Sequence, residues 1–126
     1  MALKVLHSFV HTTDKKVTSL TVSLGSDGVI LTMSDRENKL RMKLSLDEVA
    51  GLADAIKNEK SWSAYHTFEK EEGERRARLS YSDGFLGIEV GKRIAIRLDE
   101  NEKASLWRVL DYAFHKIIDE KSTFRQ

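Results

Sequence analysis

The sequence predicts an α+β fold: tandem duplicated ββββα units, with antiparallel sheets and two helices covering the core faces. Three observations carry this. A set of short motifs occurs twice in the same order. Apolar and polar residues alternate with period two through several short segments, the pattern of half-buried strands. Two longer segments with helical apolar spacing each follow the last alternating segment of a set and begin with capping residues.

The first set runs Leu6-His7-Ser8-Phe9, Ser26-Asp27-Gly28 and Leu46-Asp47-Glu48; the second runs Tyr65-His66-Thr67-Phe68, Ser82-Asp83-Gly84 and Leu98-Asp99-Glu100. The offset between copies falls from 59 to 56 to 52 residues, as expected of a duplicated unit with shorter loops in its second copy. We therefore expect one domain made of two repeats, about 1–59 and 60–126.

In the first repeat, Lys4 to His11 is a short apolar strand and Thr12 to Lys16 a polar turn. From Val17 to Leu24, Leu20, Val22 and Leu24 alternate with Ser19, Thr21 and Ser23. Gly25-Ser26-Asp27-Gly28 reads as a turn, because glycine tolerates positive φ and Asp-Gly favours tight hairpins. Val29 to Ser34 is a third strand and Asp35 to Asn38 a loop. In Lys39 to Ser45, Leu40, Met42 and Leu44 oppose Lys39, Arg41 and Lys43. A helix follows: Ser45 and Glu48 have capping-box spacing, Asp47 is an alternative N-cap, and Val49, Leu52, Ala53 and Ile56 form one apolar face. Asn58 to Ser63 breaks the pattern.

The second repeat follows the same plan. Strands are expected at Ala64 to Lys70, Arg75 to Tyr81, Phe85 to Val90 and Arg93 to Leu98. Turns lie at Glu71 to Glu74 around Gly73, at Ser82-Asp83-Gly84 and at Gly91-Lys92. Asp99 caps the last helix, with Glu102 three residues on. Leu106, Trp107, Leu110, Ala113, Phe114, Ile117 and Ile118 make a stripe wide enough to serve a sheet and a second surface, such as a partner subunit. Lys116 and Lys121 near its end suit the helix dipole.

Composition bounds the function. The 126 residues are 40% apolar and 33% charged with a net charge of +1, which suits a folded chain with a real core. No bulk basic excess points to nucleic acid, so a basic surface must come from segregation of charge. With no cysteine there is no disulfide, thiolate nucleophile or thiolate metal site. No apolar run is long enough to span a membrane or serve as a signal peptide. A soluble intracellular protein is expected, cytoplasmic or nucleoid-associated.

A twice-repeated ββββα unit whose last strand runs into a capped amphipathic helix resembles the single-stranded nucleic-acid-binding proteins of the Whirly and Pur-alpha type. The positive-cofactor-four transcriptional coactivators share a related strand-to-helix unit. The stretch most similar to a Pur-type repeat is Ser19 to Ile56, including Lys39-Leu40-Arg41-Met42-Lys43-Leu44-Ser45. The archaeal single-stranded DNA-binding proteins called ThermoDBP are a further point of resemblance, without specific residues to match. The likeness covers almost the whole chain in pattern and few positions in identity. It implies non-enzymatic binding of single-stranded DNA, or RNA, on the polar sheet faces. It points to Lys39, Arg41 and Lys43 in the first repeat and to Arg93 and Arg97 in the second, where Ala95 breaks the row.

The residues themselves supply both ingredients of single-strand binding, cations for phosphates and aromatics for bases. Lys60, Trp62, Tyr65, Phe68 and Lys70 cluster between the repeats, and Arg75, Arg76, Arg78 and Tyr81 follow. Arg76 and Arg78 share a strand face with Ser80, opposite Ala77, Leu79 and Tyr81; if that face continues onto Arg93 and Arg97 of the neighbouring strand, it is a basic surface. The alternatives are an ordinary solvated sheet with charges guarding its edges, and packing of Trp62 and Tyr65 under the linker. His7 with Phe9 and His66 with Phe68 occupy equivalent places. They either stack on bases or put Phe in the core with His hydrogen-bonded nearby. The second reading is preferred, although Leu6 and Val10 compete for the core face.

No cofactor or metal is expected. His7 and His11 share a strand face but sit about 13 Å apart, too far to chelate one ion. Nor is there a Gly-rich phosphate loop or a nucleophile elbow. Asp47-Glu48 and Asp99-Glu100 read as helix caps and the Ser-Asp-Gly tripeptides as hairpins. The expected partners are a single-stranded nucleic acid and a second copy bound through the C-terminal helix. A protein-interaction module, using the aromatic linker or that helix, is the alternative.

Overall fold

The computed structural model describes the backbone of residues 3–70 and 73–124, and side chains over 3–67 and 76–120. The first repeat contains β1 (Lys4–Thr12), β2 (Val17–Leu24), β3 (Gly28–Ser34), β4 (Lys39–Ser45) and α1 (Leu46–Asn58). The second contains β5 (Trp62–Lys70), β6 (Gly73–Ser82), β7 (Phe85–Val90), β8 (Lys92–Arg97) and α2 (Glu100–Phe124). Each set of strands forms a four-stranded antiparallel meander in sequence order.

Alternation decides the faces. Leu20, Val22, Val29, Leu31, Met33, Met42 and Leu44 are buried on the first sheet; Ala77, Leu79, Tyr81, Leu86, Ile88, Ile94 and Ile96 are buried on the second. These meet Val49, Leu52 and Ile56 of α1 and Leu106, Leu110 and Ala113 of α2 in one continuous apolar cluster shared by both repeats. The helices pack on each other, β2 and β3 touch β8, and β4 touches β7. Each core face is therefore covered partly by helix and partly by the other sheet.

Several boundaries differ from the sequence expectation. β5 starts at Trp62 rather than Ala64, because Trp62 to Ala64 pair with Leu79 to Tyr81. Trp62 thus belongs to a strand, not to a linker. β6 begins at Gly73, which pairs with Lys70, and residues 71–72 of the expected turn lie outside the described residues. β8 begins at Lys92 rather than Arg93, since its hairpin turns on Gly91 alone (φ 75°) and Lys92 already pairs with Val90; it ends at Arg97, paired with Phe85, the first residue of β7. The Lys121 side chain lies outside the described residues.

The two Ser-Asp-Gly tripeptides are built differently. Asp83 (φ 51°) and Gly84 (φ 84°) are both left-handed, the conformation of a tight hairpin turn. Gly28 instead lies in β3 and is not among the positive-φ glycines. A Cβ there would collide with the Leu44 carbonyl oxygen, so its glycine serves close approach between β3 and β4. On β1, a register shift between Val5 and His7 leaves Leu6 as an extra residue; beyond it Phe9 pairs with Leu20 and is buried. Phe9 therefore takes the core face that Val10, exposed at 61%, also had the side chain to fill.

Candidate nucleic-acid interface

The outer face of the second sheet is read row by row across its strands. Thr67 pairs with Arg76; Tyr65, Arg78, Glu89 and Arg93 form the next row; Ser63, Ser80, Gly87 and Ala95 the next; and Ser82, Phe85 and Arg97 the last. Two exposed aromatics stand on this face, Tyr65 at 63% and Phe85 at 46% exposure. Each lies under an arginine: Arg78 is 5.5 Å from the Tyr65 ring centre and Arg97 is 5.6 Å from that of Phe85. Cation–π attraction at exposed sites is worth about 0.5–1 kcal/mol, enough to bias the guanidinium toward the ring.

Arg76, Arg78, Arg93 and Arg97 thus share one face, but not neighbouring strands. β7 separates β6 from β8 and places Glu89 between Arg78 and Arg93. The expected adjacency is corrected because the strands follow a simple meander. Phe85 was missed by the sequence reading. Its parity with Glu89 on β7, opposite the buried Leu86 and Ile88, is the signal that assigns it outward.

Lys39, Arg41 and Lys43 stand exposed in line along β4, an edge strand of the first sheet. The Lys43 ammonium is 2.7 Å from Asp27. Inward of this line the outer face carries hydroxyls, with Ser19 and Ser34 oxygens 2.6 Å apart and Ser8 and Thr21 oxygens 3.1 Å apart, interspersed with Ile30 and the exposed Val5 and Val10. A cleft of about 330 Å³ lined by Ile30, Arg41, Met42, Lys43, His66 and Ala77 brings this basic edge beside the second sheet.

Trp62 faces the other way. It is half-buried against the core, and its indole sits over Gly51 of α1, where a Cβ would meet the indole nitrogen at 2.6 Å. Trp62 and Tyr65 differ by an odd number of residues on one strand, so they point to opposite faces. Phe68 and Lys70 are placed on β5 by their backbones, and their side chains lie outside the described residues. Lys60 reaches Asp54 at 3.4 Å.

The histidines have a structural task, though not as the sequence pairs them. His66 Nε2 donates to the Glu48 carboxylate at 2.7 Å, and His11 Nε2 to that of Glu102 at 2.6 Å. His7 stands edge-on to the Phe9 ring, 4.7 Å between centres. The counterpart of His66 is thus His11, not His7. Burial pushes the Glu48 carboxyl up, but the Ser45 backbone N–H and the His66 side chain outweigh it and hold it below its ordinary value of 4.5. Among the described residues, no group of three or more His, Asp or Glu side chains could hold a metal ion.

Two four-stranded meanders, each closed by a capped helix and sharing one core, match a solved structure over almost the full length. That structure is described as the plant transcriptional regulator PBF-2; the TM-score is 0.69, covering 98% of this chain and 96% of that one at 16% sequence identity. The fold is Whirly-like. No family model and no curated protein sequence matches the chain. On this Whirly-like scaffold, the second sheet's outer face combines four arginines with two exposed aromatics. Such a surface can stack planar groups and pair with anions. No helix among the described residues is long and apolar enough to cross a membrane.

Proposed function

We propose that the chain is a non-enzymatic binding protein for single-stranded nucleic acid, DNA in the first instance, acting in transcription regulation. The observation that carries this is the pair of arginine-covered aromatics, Tyr65 with Arg78 and Phe85 with Arg97, on one exposed sheet face. Unpaired bases expose flat faces that stack on such rings, at roughly 1–3 kcal/mol per base, while the guanidinium groups neutralise phosphate. A duplex hides those faces. Lys39, Arg41 and Lys43 add a second cationic line, along the edge strand of the first sheet. The likeness to a plant transcriptional regulator supports the reading at the level of fold.

Fluorescence anisotropy with single- and double-stranded oligonucleotides at two salt concentrations tests it. Single strands are expected to bind more tightly, and binding to weaken as salt rises. Changing Arg41, Lys43, Arg76 and Arg78 together to Glu abolishes binding while circular dichroism stays the same. Equal affinity for duplex, or binding that survives the charge reversal, overturns the assignment.

The C-terminal helix supports a second element of the reading, self-association. Trp107, Phe114 and Ile118 lie along one side of α2, beside the buried Leu106, Leu110 and Ile117, yet Trp107 and Phe114 are half-buried and Ile118 is 37% exposed. A homodimer through this stripe, or a protein partner in its place, covers them. A Phe114→Glu, Ile118→Glu double variant is expected to shift the mass measured by light scattering to that of a monomer.

A further inference from the structure

Gly87 faces outward in the middle of the second sheet, in the row of Ser80 and Ala95, yet it is buried. What covers it is Arg93. A Cβ on Gly87 would meet Arg93 Nη2 at 3.2 Å and Nε at 3.3 Å, and the Ala95 Cβ at 3.3 Å. The guanidinium of Arg93 therefore borders the space of a side chain at position 87 closely enough that a Cβ there would push it aside. It leans along the sheet over Gly87, toward the Phe85 and Arg97 row, while the residue stays exposed to solvent. The row beneath it is made of the smallest residues on the face, Ser80, Gly87 and Ala95, and so forms a shallow trough between the Tyr65 and Phe85 stations.

We propose that Arg93 is a base-stacking residue, and that Gly87 and Ala95 make it one by leaving the floor on which its guanidinium rests. The inference rests on the single-strand reading given above and gives that face a third planar station between its two aromatics. A guanidinium is a delocalised plane on which unpaired bases stack, whereas a lysine ammonium offers charge without a plane. Ala95, which interrupts the cationic row of β8, is then the residue whose small side chain keeps the trough open.

The test compares the native chain with Arg93→Lys and Gly87→Ala on an oligothymidine and on an abasic oligonucleotide of equal length. Arg93→Lys keeps the charge and removes the plane. Gly87→Ala keeps the arginine and lifts it from its floor. Both are expected to weaken oligothymidine binding by about tenfold, to leave abasic binding unchanged, and to leave the salt dependence and thermal melt as in the native chain. If Arg93→Lys binds both oligonucleotides as the native chain does, or loses equally on both, Arg93 is a charge or a phosphate contact and the inference falls. A native chain that binds neither oligonucleotide overturns the single-strand reading along with it.

Discussion

Glu48 and His66 join the two repeats through a helix cap. Glu48 is the third residue of α1, and its carboxylate accepts the Ser45 backbone N–H at 2.9 Å while Ser45 Oγ accepts the Glu48 N–H. The same carboxylate accepts His66 Nε2–H at 2.7 Å from the first strand of the other repeat. The arrangement is reciprocal. Glu102 caps α2 with Asp99 (3.0 Å and 2.8 Å) and accepts His11 Nε2–H from the first strand of the first repeat. Each capping carboxylate thus serves its own helix and fixes the opposite sheet.

Replacing Glu48 with Ala removes both roles and is expected to cost roughly 1–2 kcal/mol in denaturant unfolding, the range for losing a cap and a partly buried hydrogen bond. Glu48→Gln can still accept from Ser45 and should cost clearly less. Equal losses from the two variants would show that charge, not capping, dominates.

The pH dependence follows from the same carboxyl. Its folded value lies below 4.5, so it binds fewer protons in the folded than in the unfolded chain. Its contribution is complete above the unfolded value and is lost as pH falls through the folded one. The stability difference between native chain and Glu48→Gln, followed by thermal melts, should shrink as pH drops below the ordinary value of 4.5.

Gly51 in α1 reverses an ordinary expectation. Glycine to alanine inside a helix usually stabilises by about 1 kcal/mol. Here the new Cβ meets the Trp62 indole nitrogen at 2.6 Å, so Gly51→Ala should destabilise and change tryptophan fluorescence. In a Trp62→Ala background the same change becomes stabilising.

Tyr65→Ala and Phe85→Ala are each expected to weaken oligothymidine binding by roughly 1–3 kcal/mol with little change in salt dependence, measured by anisotropy. Both rings are exposed, so melting temperatures should move little. Trp62→Ala should do the opposite: lower the melt, because the indole packs on α1, and spare the affinity of the folded protein.

Tyr81 is 1% exposed, and its hydroxyl lies near the Gly84 backbone but makes no hydrogen bond of good geometry among the described residues. Burial, aided by the Glu59 charge, pushes its phenol up. Tyr81→Phe removes a desolvated polar atom and should leave stability unchanged or raise it by up to about 1 kcal/mol in denaturant melts. A loss would mean that the hydroxyl is satisfied in solution.

The local features of this chain were legible in its sequence. Leu40, Met42 and Leu44 against Lys39, Arg41 and Lys43 specify a strand and both of its faces, and Ser45 with Glu48 specifies where a helix begins. Duplication made the ββββα order readable twice. These signals are local, because a strand's period and a helix cap involve residues a few positions apart. Only the tertiary structure decided which partner each side chain meets. Leu6, His7, Phe9 and Val10 give β1 two comparable faces, and the extra residue at Leu6 resets the parity that alternation relies on. His11 meets Glu102 across 91 residues of chain and His66 meets Glu48 across 18, so motif spacing pointed to His7 instead. Trp62 and Tyr65 read alike as aromatics. It took the packing of α1 on β5 to turn one inward over Gly51 and leave the other on the open face with Arg78.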